Sequence, residues 1–77
     1  MGTDDRLRWR CRRGLLELDL LLQGFLVGRF AKLDATEKAL FGELLEHPDP
    51  DLLDWVLGRS EPADPRYHGV LRHLRAG

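Results

Sequence analysis

The chain has 77 residues, enough for one small domain but not for a deep catalytic cleft between lobes. Apolar residues make up 43% and charged residues 32%, a balance that suits a packed globule and excludes wholesale disorder. Twelve basic residues face 13 acidic ones, and a formal net charge of −1 argues against a general nucleic-acid coat protein.

The chain reads as helices throughout. It has no isoleucine, few valines and no sustained period-2 alternation, so no strand is expected. The first segment opens at Thr3 or Asp4, either of which makes a good N-cap, and runs to Gly14. Arg12 and Arg13 fall in its last turn, where cations suit a helix C-terminus, and Gly14 supplies the left-handed residue past the end. The second segment runs from Leu15 to Arg29 or Phe30, with Glu17 in its first turn. It is apolar nearly all round, which makes it the central helix. Gly24 and Gly28 are spaced for close helix packing.

Asp34 followed by Glu37 is a capping-box arrangement, and Leu40, Phe41, Leu44 and Leu45 line one side of the helix it starts. Asp49 caps the fourth helix, with Pro50 at the first helical position. Leu52, Leu53, Val56 and Leu57 form its apolar side and Gly58 ends it; Trp55 reads as core. Asp64-Pro65 repeats the cap-proline device. Tyr67, Val70, Leu71 and Leu74 then give the i, i+3, i+4, i+7 face of a fifth helix. The expected fold is all-α, a bundle of five short helices in a single domain spanning residues 1–77.

Targeting and metal signals are weak. Glu17, Asp19, Gln23 and Arg29 interrupt the apolar run from Leu15 to Phe30, so it suits neither a signal peptide nor a membrane span. Met1-Gly2 lacks the hydroxyl residue that myristoylation requires at position 6, where Arg6 stands. One cysteine, Cys11, permits no internal disulfide and fits a reducing compartment, the bacterial cytoplasm or an organelle matrix. One cysteine and three scattered histidines, His47, His68 and His73, make no zinc site. No residue is expected to be catalytic. Arginines flanking Cys11 favour its thiolate, yet no partner base accompanies it.

Charge is uneven. Five arginines against two acids give residues 1–13 a net of +3, and Trp9 lies among them. Two readings follow: a solvated basic helix face, or a nucleic-acid grip combining phosphate contact with stacking. Arg13, Gly14 and Glu17 likewise read either as a helix end with a surface charge pair or as a contact surface. In the second case the bare glycine backbone allows a partner close approach.

The stretch Trp9-Arg10-Cys11-Arg12-Arg13-Gly14-Leu15-Leu16-Glu17-Leu18-Asp19 resembles the signature of the SdhE/YgfY family of flavinylation factors, also called succinate dehydrogenase assembly factors. The family's Arg-Gly-x-x-Glu hallmark is met by Arg13, Gly14 and Glu17. Thr36-Glu37-Lys38, Leu44-Leu45-Glu46, Asp49-Pro50-Asp51-Leu52, Trp55 and Pro62-Ala63-Asp64 follow in family order. The resemblance implies a five-helix fold and an assembly factor, not an enzyme. Such a factor binds the flavoprotein subunit of succinate dehydrogenase or fumarate reductase and promotes covalent attachment of FAD. FAD is then expected to be met transiently or through the client, with no tightly bound cofactor; no membrane contact is expected, and a monomer is favoured with the oligomeric state left open.

By position, Arg13, Gly14 and Glu17 form the centre of the partner-binding surface, extended by Trp9, Arg10, Arg12 and Asp19. Arg13 would neutralise a carboxylate or charge developing on the flavin, and Glu17 would orient Arg13 or bind a basic partner group. The chain departs from the family in the apolar, glycine-rich stretch Gly24–Phe30 and in stopping soon after the fifth helix. The alternative function is a small nucleic-acid-binding or antitoxin-like module using the arginine cluster. A third reading is a simple oligomerising bundle.

Overall fold

The computed structural model describes residues 3–76, with side chains for residues 4–75. It contains five α-helices, α1 (Thr3–Arg10), α2 (Leu16–Val27), α3 (Ala35–Leu44), α4 (Asp49–Leu57) and α5 (His68–Ala76). Single 3-10 turns at Arg29–Lys32 and Pro65–Tyr67 complete the order, and no strand occurs among the described residues. The all-α expectation holds. The readings placed on Met1-Gly2 and on a Thr3 cap lie outside the described residues. Asp4 is not a cap. It sits inside the first turn of α1, and its carboxylate accepts from Lys38 Nζ at 3.1 Å.

Local punctuation sets most helix ends. The Asp34 side chain accepts from the Glu37 N–H at 2.8 Å, and Glu37 accepts from the Asp34 N–H at 3.1 Å, so the capping box is complete. Gly58 ends α4 at φ 77°, a left-handed conformation that glycine adopts without a Cβ penalty. Asp64 accepts from the Arg66 N–H at 2.9 Å and starts the turn that leads into α5. The start of α4 differs from expectation. Asp49 is its first helical residue, Pro48 precedes it, and no side chain caps it. The Asp49 carboxylate is drawn away to Arg13, 36 positions back in the sequence.

The first helix stops at Arg10, earlier than the sequence suggests. Cys11 and Arg12 continue it only as a turn, and Arg12 and Arg13 lie beyond its end. Burial of Cys11 and the pull of Arg13 toward α3 and α4 override the helical preference of the arginines.

The core gathers Leu7 and Cys11, the inner face of α2 (Leu18, Leu22, Phe25, Leu26), Phe30, Phe41, Leu44, Leu52, Val56, Tyr67 from the turn before α5, and the α5 face Val70, Leu71 and Leu74. Phe25, Phe30 and Phe41 meet with ring centroids 5.1–6.0 Å apart, and two of these three contacts are edge-on. Leu7 of α1 reaches α3 beside Gly42, where a Cβ would meet its Cδ2 at 3.4 Å, close to an ordinary contact. Trp55 is half-buried against the core, with its ring meeting His47 edge-on.

The second helix is central but not enclosed. Its inner face is buried, whereas Leu16, Leu20 and Val27 are 73%, 64% and 88% exposed. A Cβ added at Gly24 would meet nothing within 4 Å, so the glycine spacing serves no packing within this chain.

Leu71 is fully buried. Leu71→Ala is expected to lower unfolding stability by about 2–5 kcal/mol, measured by urea denaturation.

Candidate functional site

The turn between α1 and α2 is built by two long-range grips. The first comes from Arg13. Its Nε donates to Asp49 Oδ1 at 2.7 Å, one Nη donates to the Leu45 carbonyl, and the other donates to the His47 carbonyl at 2.7 Å. Leu45 and His47 follow the last turn of α3, where helix carbonyls lack partners within the helix. A cation there also suits the negative end of the helix dipole. One guanidinium therefore closes the end of α3 and ties it to the first residue of α4. With only 16% of the Arg13 side chain exposed, these bonds are partly shielded from water.

The second grip comes from Asp19, in the first turns of α2. Its two carboxylate oxygens accept from consecutive backbone amides, Arg13 N–H at 2.8 Å and Gly14 N–H at 3.2 Å. Leu15 offers the start of α2 no side-chain cap, so Asp19 reaches back to hold the approach to the helix. Gly14 sits at φ 85° with open space where a Cβ would stand. The positive φ calls for glycine, and the open space leaves its backbone accessible.

These grips separate the seven sequence candidates. Arg13 and Asp19 are half-buried and committed to them, whereas Arg10 is exposed and its guanidinium donates to the Gly42 carbonyl at 3.2 Å. Trp9, Arg12, Gly14 and Glu17 remain on the outside. Glu17 has no hydrogen bond or ion pair among the described residues and does not orient Arg13; Asp49 does. Trp9 is 74% exposed, with the Arg12 guanidinium 6.0 Å from its ring centroid. It borders a shallow depression of about 250 Å³ between α1 and α2, lined by Asp5, Arg8, Trp9, Arg12, Gln23 and Leu26.

Sequence reasoning missed Leu16 and Leu20. They stand one turn apart on the outer face of α2, flank Glu17 and continue toward Val27. A signal was present: a 12-residue helix that is apolar all round cannot be wrapped completely by so short a chain. Exposed leucines and valine in one stripe mark an interaction surface, unlike scattered single residues.

The packing also decides the state of Cys11, which the sequence left open. It is fully buried, and burial pushes its thiol up to about 12 despite nearby Arg13, Arg10 and Arg8. It is a packing residue, not an activated thiol. No cluster of three or more His, Cys, Asp or Glu side chains suited to a metal ion occurs among the described residues.

The structure thus defines a small all-α domain with an apolar outer helix face that begins at a pinned arginine-glycine turn. The family model described as the flavinator of succinate dehydrogenase matches residues 5–77, and the chain belongs to that family. It is similar to the FAD assembly factor SdhE of Coxiella burnetii, with 43% identity over 70 residues, 91% of this chain and 85% of that protein. The factor of the same name from Shewanella oneidensis is 47% identical over the same shares. That of Legionella pneumophila strain Paris is 49% identical over 57 residues, 74% of this chain and 72% of the relative.

Two outcomes check this geometry. Arg13→Ala is expected to lower unfolding stability by about 2–3 kcal/mol, because it leaves Asp49 and two helix-end carbonyls without their donor; Glu17→Ala should change it by less than about 0.5 kcal/mol. In the native chain Cys11 should resist a thiol reagent at mildly alkaline pH and react only at the rate of unfolding, measured by release of the reagent's chromophore.

Proposed function

We propose that this chain promotes covalent attachment of FAD to the flavoprotein subunit of succinate dehydrogenase, or of fumarate reductase, by docking on that subunit as an assembly factor. Membership of the flavinator family supports this reading, as do relatives named FAD assembly factor. The bond-forming chemistry would reside in the flavin and its acceptor, with the factor supplying binding and orientation. FAD is met through the client, and the setting is the bacterial cytoplasm. No described helix is long and apolar enough to cross a membrane.

The observation that carries the docking surface is the pairing of a free Glu17 with the exposed Leu16 and Leu20 on either side of it. The leucines offer apolar area for burial, and each leucine fully covered contributes about 1.5–3 kcal/mol. Glu17 offers a carboxylate that no neighbour neutralises. Gly14 leaves backbone open to close approach, and Trp9 with Arg12 extends the surface along α1. Arg13 takes a positioning role: its guanidinium already serves three acceptors, so it fixes the turn that presents Glu17.

The assembly-factor reading is favoured over a nucleic-acid grip because part of the arginine cluster is engaged within the chain: Arg10 and Arg13 bond backbone carbonyls, and the Arg8 guanidinium lies 5.4 Å from the Phe30 ring centroid.

The test is reconstitution with apo flavoprotein subunit, FAD and a dicarboxylate, read as in-gel flavin fluorescence. Glu17→Ala and the Leu16→Ser/Leu20→Ser pair are each expected to reduce the rate of covalent flavin formation at least about tenfold while the thermal melt stays at the wild-type position. Wild-type rates for both variants would remove the assignment.

A further inference from the structure

A second surface lies at the opposite end of α2. Arg29, just past that helix, and Arg72, on the outer side of α5, line one depression of about 410 Å³ together with Gly69 and His73. Arg72 also lines a neighbouring depression of about 460 Å³ with Glu61, His68 and Arg75. Arg72 therefore borders both hollows, and the surface around it also carries Arg29 and Arg75. Its acids are already engaged. Glu61 holds Arg75 in an ion pair and lies 4.0 Å from His68, and Glu37 lies 3.5 Å from His73. Arg29 and Arg72 have no hydrogen bond or ion pair among the described residues. A 12-residue helix is about 18 Å long, which separates this surface from the Gly14–Glu17 end by about that distance.

We propose that this surface binds an acidic polypeptide segment, with Arg29 and Arg72 each taking a carboxylate. Two unpaired guanidiniums beside open space present planar forks matched to carboxylates. The surface already uses this chemistry internally, in the Arg75–Glu61 pair. Space beside Gly69 is open, since a Cβ there would meet nothing within 4 Å. A nucleic acid fits less well. Neither hollow is lined by Phe, Tyr or Trp, so a base finds no large aromatic face to stack on. The site is independent of client docking at the motif end, so either can fail alone.

The experiment titrates the isotope-labelled full chain with a ten-residue peptide of alternating glutamate and aspartate and follows amide shifts. Saturable shifts are expected at Arg29, Gly69, Arg72 and His73, weakening as salt rises. Arg72→Gln, which replaces an exposed side chain without a partner, should weaken binding about tenfold, and Arg29→Gln/Arg72→Gln should weaken it further. Circular dichroism confirms that both variants fold, and a folded Arg72→Gln suffices if the pair does not. Absence of saturable shifts at these residues, unchanged affinity in Arg72→Gln, or tighter binding of a single-stranded oligonucleotide of equal charge would each overturn the proposal.

Discussion

The guanidinium of Arg13 is the constraint on which this small fold depends at its working end. Three acceptors from two other segments converge on it: the Leu45 and His47 carbonyls and the Asp49 carboxylate. A chain of 77 residues buries a limited core, and its helices are too short to persist alone. One charge-assisted node that closes a helix end and joins three segments therefore has outsized leverage. The helix α1 ends at Arg10, so Arg13 makes these bonds from the turn that follows it.

Asp19 completes the arrangement from the other side. By holding the Arg13 and Gly14 amides, it fixes where α2 starts and which of its faces turns inward. Glu17, two residues earlier, then projects outward, and Leu16 and Leu20 are carried out with it. Two acids in one short leucine-rich run are thus differently placed: Asp19 holds the turn, and Glu17 stays exposed and free of an internal partner among the described residues. The proposed docking surface uses that outward face.

The features legible in the sequence were local. Asp34 with Glu37, Gly58 past α4, Asp64 before α5 and the positive φ of Gly14 all depend on residues within a few positions of one another. The Tyr67, Val70, Leu71 and Leu74 face was legible for the same reason. What the pattern could not show was long-range. Arg13 finds Asp49 across 36 positions, and that pairing removes Asp49 from its expected cap and Arg13 from the free surface. Hydrophobic pattern alone cannot distinguish an enclosed helix from one with an uncovered apolar face, so Leu16 and Leu20 read as core. The burial of Cys11 was likewise not legible: its sequence neighbours are arginines, and only the packing shows that desolvation outweighs them. The family's contact positions therefore hold two kinds of residue, which the motif alone does not separate.

The most direct measurement is the rate at which the Arg13 Nε proton exchanges with water, read from side-chain resonances of the isotope-labelled chain. A guanidinium fixed on Asp49 and the end of α3 predicts a resolved Arg13 Nε–H that exchanges far more slowly than that of the exposed Arg6. The protection should disappear in Asp49→Ala. An Arg13 Nε–H exchanging as fast as that of Arg6 in the wild-type chain would contradict the account, because Arg13 would then be a free surface cation.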